Sequence, residues 1–255
     1  MRIGFSSLAC PGWTVEQIAD TARRFGYEGI EWRLADGELL GPRTPDEVWE
    51  RIASCGVEAV CLDTSAVFVQ ADEEARRKAQ RHTAAMAERA LQIGVPCIRV
   101  FGGAMPAGHT REALLESTRR ALAEAVYEVP AGVDVLVETH DAWCRGPEVA
   151  QLVRGIDRLG VLWDIAHTMR IGEAPADTIR HTGVPGLVHI KDTAGEALTH
   201  LGEGELDLEE AIDVLVGAGY DGWVSVEWEK LWHPELDEAD VALPKAIDFV
   251  RGLLR

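Results

Sequence analysis

Residues 133–141 read VDVLVETHD. Val133, Val135, Leu136 and Val137 make a short run that is apolar on both faces, the pattern of a buried strand in a parallel sheet. The run ends in Glu138, a residue able to hold a metal ion. Three later segments repeat the arrangement: LGVLWDIAH (159–167) reaches Asp164, GLVHIKD (186–192) carries His189, and WVSVEWE (223–229) carries Glu227. Two glutamates, one aspartate and one histidine form a mixed oxygen and nitrogen set. Such a set suits a divalent cation and points to metal-assisted chemistry on a small oxygenated substrate.

Further strand-like runs lie near 2–8, 29–34, 57–64 and 97–103, making eight with 133–140, 160–167, 187–192 and 223–229. Between them the apolar residues fall at helical spacing, as over 72–93, 110–127, 147–155, 206–219 and 239–253. Thr14 and Thr44 read as N-caps, the second followed by Pro45 at the first helical position. Gly26, Gly56, Gly94 and Gly219 sit where helices should stop. Alternating strands and helices predict a parallel sheet covered by helices, closed into a (β/α)8 TIM barrel that forms one domain over residues 1–255. An open doubly wound sheet is the rival. A nucleotide-binding version would want a glycine-rich turn after its first strand, and SSLACPGWT (6–14) supplies none; neither G-x-G-x-x-G nor a Walker A string occurs.

The chain has 255 residues, 47% of them hydrophobic, and a formal charge of −18. That charge repels a phosphate backbone, so nucleic acid is not the expected partner. The cysteines, Cys10, Cys55, Cys61, Cys97 and Cys144, are odd in number and scattered, which disfavours a disulfide framework or a zinc-thiolate site and suits a reducing cytoplasm. The N-terminus lacks a long apolar signal region, and no stretch of about 18 apolar residues occurs, so neither secretion nor membrane insertion is expected.

In a parallel barrel the C-terminal strand ends form the active face, and side chains alternate along each strand. Glu138 shares parity with Leu136 and His140, Asp164 with Leu162, His189 with Lys191, and Glu227 with Ser225 and Glu229. Each of the four ligands can thus project from one end of the barrel. Burying them without a cation or basic partner would be costly. Mn, Mg, Co and Zn ions all tolerate the set, and three carboxylates lean toward the harder ones.

The motifs VETHD (137–141), WDIAHT (163–168), VHIKD (188–192), LGEGELD (201–207) and GYDGWVSVEWE (219–229) resemble the sugar phosphate isomerase/epimerase family of xylose isomerase-like barrels, over essentially the whole chain. The resemblance implies one divalent metal ion held by Glu138, Asp164, His189 and Glu227, with Glu138 and Glu227 doubling as acid and base. It places His167, three residues after Asp164, against substrate hydroxyls. His140 and Lys191 fall on the same active face, Lys191 as an anchor for an anionic group or in a salt bridge to Glu229 or Asp192. Trp13 and Trp32, near the first two strand ends, and Trp232 in the last loop could stack on a sugar. The loop TAGEALTHLGEGELD (193–207) has no arginine, where sugar epimerases of the family often carry one.

The expected activity is isomerisation or epimerisation of a sugar, sugar acid or polyol derivative through an enediolate. The alternative is a metal-dependent lyase acting on a keto-polyol or a 3-dehydroshikimate-like acid. Endonuclease IV-like DNA repair would want more histidine ligands and a basic groove, and a non-catalytic accessory barrel would not need intact ligands. A small-molecule substrate and, as the default assembly, a homodimer complete the expectations.

Overall fold

A computed structural model describes residues 1–254. Eight parallel strands close into a barrel: β1 (Arg2–Ser6), β2 (Gly29–Trp32), β3 (Glu58–Val67), β4 (Cys97–Phe101), β5 (Asp134–Glu138), β6 (Leu159–Asp164), β7 (Leu187–Ile190) and β8 (Trp223–Val226). They run around the ring in chain order, with β1 closing on β8. The helices that cover them are α1 (Val15–Phe25), α2 (Asp46–Ser54), α3 (Glu73–Ile93), α4 (Arg111–Glu128), α5 (Gly146–Val153), α6 (Ile165–Arg170), α7 (Pro175–Thr182), α8 (Leu208–Gly217) and α9 (Ala239–Leu253). Among the described residues, no helix is long and apolar enough to cross a membrane.

Local chemistry sets most of the helix ends. The Thr14 hydroxyl accepts the Gln17 N–H while the Gln17 side chain accepts the Thr14 N–H, a reciprocal cap that opens α1. Gly26 and Gly94 close α1 and α3 at φ 80° and 76°, a backbone region that disfavours residues with a Cβ. Thr44 does not cap α2. Pro45 holds the cap position, and the Thr44 hydroxyl folds back to accept the Gly41 N–H. The strand expected over 160–167 also ends early: an Asp164 oxygen accepts the His167 N–H and starts α6 directly. Two short antiparallel hairpins, 34–39 after β2 and 192–199 after β7, were not expected from the sequence.

The barrel interior has an apolar floor. Leu136, Leu162 and Leu187 pack with Val60 and Cys61, flanked by Cys97 and Trp223. The small residues are where the large ones need room. A Cβ on Gly186 would lie 2.6 Å from Leu136 Cδ2, and one on Gly29 would lie 2.4 Å from Val60 Cγ2 and 2.7 Å from the Trp223 ring. The outward faces of the strands, such as Phe5, Ile30, Val100, Val137, Trp163 and Ile190, pack into the larger core beneath the helices. Two residues beyond the floor on β5 and β6 stand Glu138 and Asp164; His189 stands two beyond Leu187, and Glu227 two beyond Ser225. Strand parity thus lifts the polar residues onto the C-terminal mouth.

Candidate metal centre

Glu138, Asp164, His189 and Glu227 converge, with one ligand atom from each within 4.8 Å of all the others. They come from neighbouring strands β5 to β8, and the pairing of Asp164 with His189 fixes two of them side by side. All are buried; Glu227, at 5% exposure, is the most accessible. His189 Nδ1 lies 3.9 Å from Glu138 Oε1, 3.9 Å from Asp164 Oδ2 and 3.6 Å from Glu227 Oε1.

These residues fit a divalent ion by their unmet valence. Glu138 Oε2 has only Arg99 Nε at 3.2 Å and Asp164 Oδ2 only Lys191 Nζ at 2.9 Å as cationic neighbours, neither as a hydrogen bond, and His189 Nδ1 is buried with no hydrogen-bond partner, an arrangement that a divalent ion would satisfy further. The far side of His189 is already committed: Nε2 lies 2.8 Å from Glu31 Oε1, and Ser225 Oγ donates to the other Glu31 oxygen. A carboxylate behind a ligating histidine fixes the tautomer and leaves Nδ1 free to face a metal. Glu31 is fully buried on β2 and was not singled out in the sequence; a charged residue inside the buried run GIEW was its signal.

The field of the carboxylates draws positive charge. Burial opposes charge on Lys191, but Asp164, Glu227 and Glu229 outweigh it and hold its pKa well above the ordinary lysine range. Its Nζ sits 2.5 Å from Glu227 Oε2, 2.5 Å from Glu229 Oε1 and 2.9 Å from Asp164 Oδ2. The sequence-level alternative of a Lys191–Glu229 salt bridge is therefore present, within a wider cluster. Burial likewise works against His189, yet Glu31 and Glu227 raise its pKa well above the ordinary imidazole value. Glu227 moves the other way: burial favours its neutral form, but Lys191 and His189 prevail and keep its pKa well below the carboxylate range.

Arg99, on β4, points into the barrel. Its guanidinium lies 3.3 Å from Asp63 and 3.2 Å from Glu138 Oε2, so it braces the tetrad from the β4 side. Asp63 is fully buried; burial raises its pKa to about 7 against the opposing effect of Arg99.

Above the tetrad opens a cleft of about 240 Å³, lined by Leu8, Arg33, Arg99, Phe101, Glu138, His140 and His167 on one part and by Lys191, Glu227, Glu229 and Trp232 on the other. His167 Nδ1 is 2.9 Å from the Thr139 carbonyl oxygen, which leaves Nε2 available to a ligand. The His140 ring packs between Phe101, tilted at 59°, and His167, edge-on at 80°, at centroid separations of 4.8 and 4.6 Å. Trp13 does not join them. It follows the tight turn at 10–12, packs partly buried against the hydrophobic core, and is absent from the cleft wall, where Trp232 stands instead. Trp32 lies wholly within the core. A larger groove of about 960 Å³, between residues 35–48 and α3, contains none of the tetrad.

Comparison with known proteins agrees with this architecture. A curated relative named inosose isomerase, from Halalkalibacterium halodurans (strain ATCC BAA-125 / DSM 18197 / FERM 7344 / JCM 9153 / C-125), is 24% identical over 233 residues, covering 82% of this chain and 80% of the relative. The structure of an IOLI protein with a bound zinc atom superposes with a TM-score of 0.83 at 19% identity, covering 100% of this chain and 98% of the other. An L-ribulose 3-epimerase superposes with a TM-score of 0.82 at 18% identity, covering 99% and 94%. The profile described as xylose isomerase-like TIM barrel matches residues 19–252. The chain belongs to the xylose isomerase-like TIM barrel family.

Proposed function

We propose that this chain is a divalent-metal-dependent isomerase or epimerase of a sugar, sugar acid or polyol derivative. The observation that carries this reading is the buried convergence of three carboxylates and one imidazole, with a ligand atom of each within 4.8 Å of the others and His189 Nδ1 unpartnered. The curated relative's name, inosose isomerase, supports the reaction class. Glu138, Asp164, His189 and Glu227 would hold the ion, which when bound supplies Lewis-acid polarisation of a carbonyl and its neighbouring hydroxyl.

The protein's own residues account for the proton movement. Glu138 and Glu227 rise from β5 and β8, separated by β6 and β7, so they flank the cleft. One removes a proton from the carbon beside the carbonyl and the other returns one. Return to the opposite face of the same carbon gives the epimer; return to the neighbouring carbon gives the isomer. Lys191 keeps Glu227 ionised. His167 presents Nε2 to a substrate hydroxyl, with its other nitrogen held at the Thr139 carbonyl oxygen. His140 and Phe101 wall the same side of the cleft.

The test is incubation of Mn²⁺-loaded protein with a panel of ketoses and keto-acids in deuterated water. The expected result is incorporation of deuterium beside the carbonyl with no other mass change. A product lighter by one water and absorbing in the ultraviolet as a conjugated enone would establish a lyase instead. Exchange that persists unchanged in metal-stripped protein would overturn the metal reading.

Glu31→Gln tests the support behind the metal ligand. Glutamine retains an acceptor for Ser225 but loses the charge that fixes His189. Divalent-metal affinity should fall about 10–100-fold in a calorimetric titration, while the circular dichroism spectrum is unchanged.

A further inference from the structure

The buried lysine and arginine side chains among the described residues are Arg33, Arg99, Lys191 and Lys230. Arg99 pairs with Asp63 and Glu138, Lys191 with Asp164, Glu227 and Glu229, and Lys230 with Glu238. Arg33 alone has no carboxylate partner. Its guanidinium donates only to the Asp63 carbonyl oxygen at 3.3 Å and to Ser65 Oγ at 2.8 Å. A guanidinium carries five N–H donors, so the remainder are free. The residue is 6% exposed, and it lines the cleft, so the donors without a protein partner are open to whatever the cleft holds. Burial, helped by the nearby Arg99, lowers its pKa to about 10, so it stays charged at neutral pH.

The backbone holds this cation still. The N–H groups of Arg33 and Leu34 both donate to Ser7 Oγ, at 2.8 and 2.9 Å. Arg33 lines the cleft, directly after β2. In the ring β2 stands opposite β6, so Arg33 faces the tetrad side across the mouth. A positioned guanidinium in a cleft wall with no carboxylate partner is suited to an anion, and its planar fork matches one with two or more oxygens.

We infer that the substrate carries an anionic group, a carboxylate or a phosphate, and that Arg33 receives it across the cleft from the tetrad. This rests on the metal-centre reading above and narrows it from a sugar, sugar acid or polyol derivative to the acidic members of that group. Arg33 is then a specificity-determining residue, on a different strand end from the arginine-free loop 193–207 that follows β7.

The test compares three probes of equal carbon number on Mn²⁺-loaded protein by calorimetry: D-gluconate, D-glucitol 6-phosphate and neutral D-glucitol. A preceding Mn²⁺ titration checks the metal centre by itself. At least one anionic probe should bind about tenfold or more tighter than glucitol, and whichever binds tighter identifies carboxylate or phosphate. Arg33→Gln should collapse that preference to under about threefold, leave glucitol binding and Mn²⁺ affinity unchanged, and Arg33→Lys should keep part of it. Equal binding of all three probes to the wild type would overturn the inference even if Arg33→Gln failed to fold. A preference that survives Arg33→Gln would also overturn it, by placing the anion elsewhere. Failure of the wild type to bind Mn²⁺ would sink the metal-centre reading and this one together, and the first titration would show it.

Discussion

Glu138→Gln is expected to abolish metal-dependent turnover and to leave the barrel folded. The side chain keeps its shape but loses the charge that a divalent ion and a proton acceptor both need. If Glu138 serves in both capacities, kcat/KM falls by at least about 10²–10⁴-fold, the usual contribution of a positioned acid or base. Metal affinity falls with it, by more than the roughly 10–100-fold expected for a residue behind a ligand. Stability of the metal-free protein should change little. Arg99 loses one ionic partner but keeps Asp63, and the crowded carboxylates repel each other less. The checks are parallel measurements of turnover, Mn²⁺ binding and thermal melting. Loss of turnover with metal affinity intact would reduce Glu138 to a base alone, and loss of folding would make it a structural residue.

Leu136→Ala is the largest expected effect on stability. Leu136 occupies the barrel floor against Gly160 and Gly186, where the backbone is too confined to collapse into a void. Truncating a fully packed leucine costs about 2–5 kcal/mol. For a domain of this size each kcal/mol lowers Tm by roughly 2–4 °C. Gly186→Ala should also destabilise, because the added Cβ would lie 2.6 Å from Leu136 Cδ2. The two changes compete for one space. The double variant should therefore be more stable than the sum of the single losses predicts. Strict additivity in urea unfolding would contradict the interleaved floor.

The barrel was legible because its strands are short, apolar and evenly spaced between helical stretches. Glu138, Asp164, His189 and Glu227 could be grouped because strand parity is a local property: each lies at a strand end on the face that Leu136, Leu162, Lys191 or Ser225 shares. What the chain order could not show was pairing between distant strands. Glu31 reaches His189 across 158 positions, and Arg33 reaches the carbonyl of Asp63 through a side chain whose direction depends on the turn after β2. Residue identity also misled where one side chain had two uses. Thr44 suited a cap but closes a turn instead, and Asp164 both joins the tetrad and caps α6, which shortened the strand read as far as His167. Trp13 lay near a strand end in sequence, yet the turn at 10–12 packs it against the core while Trp232, from the last loop, takes the place at the cleft.

The proposed chemistry depends on one divalent ion held by residues from four strands. Crystals soaked in Mn²⁺ and measured near the manganese absorption edge test it directly. One anomalous peak per chain, bounded by Glu138, Asp164, His189 and Glu227, is the expected result. No peak there after saturating soaks, or a peak bound only by exposed acidic side chains elsewhere, would contradict the account.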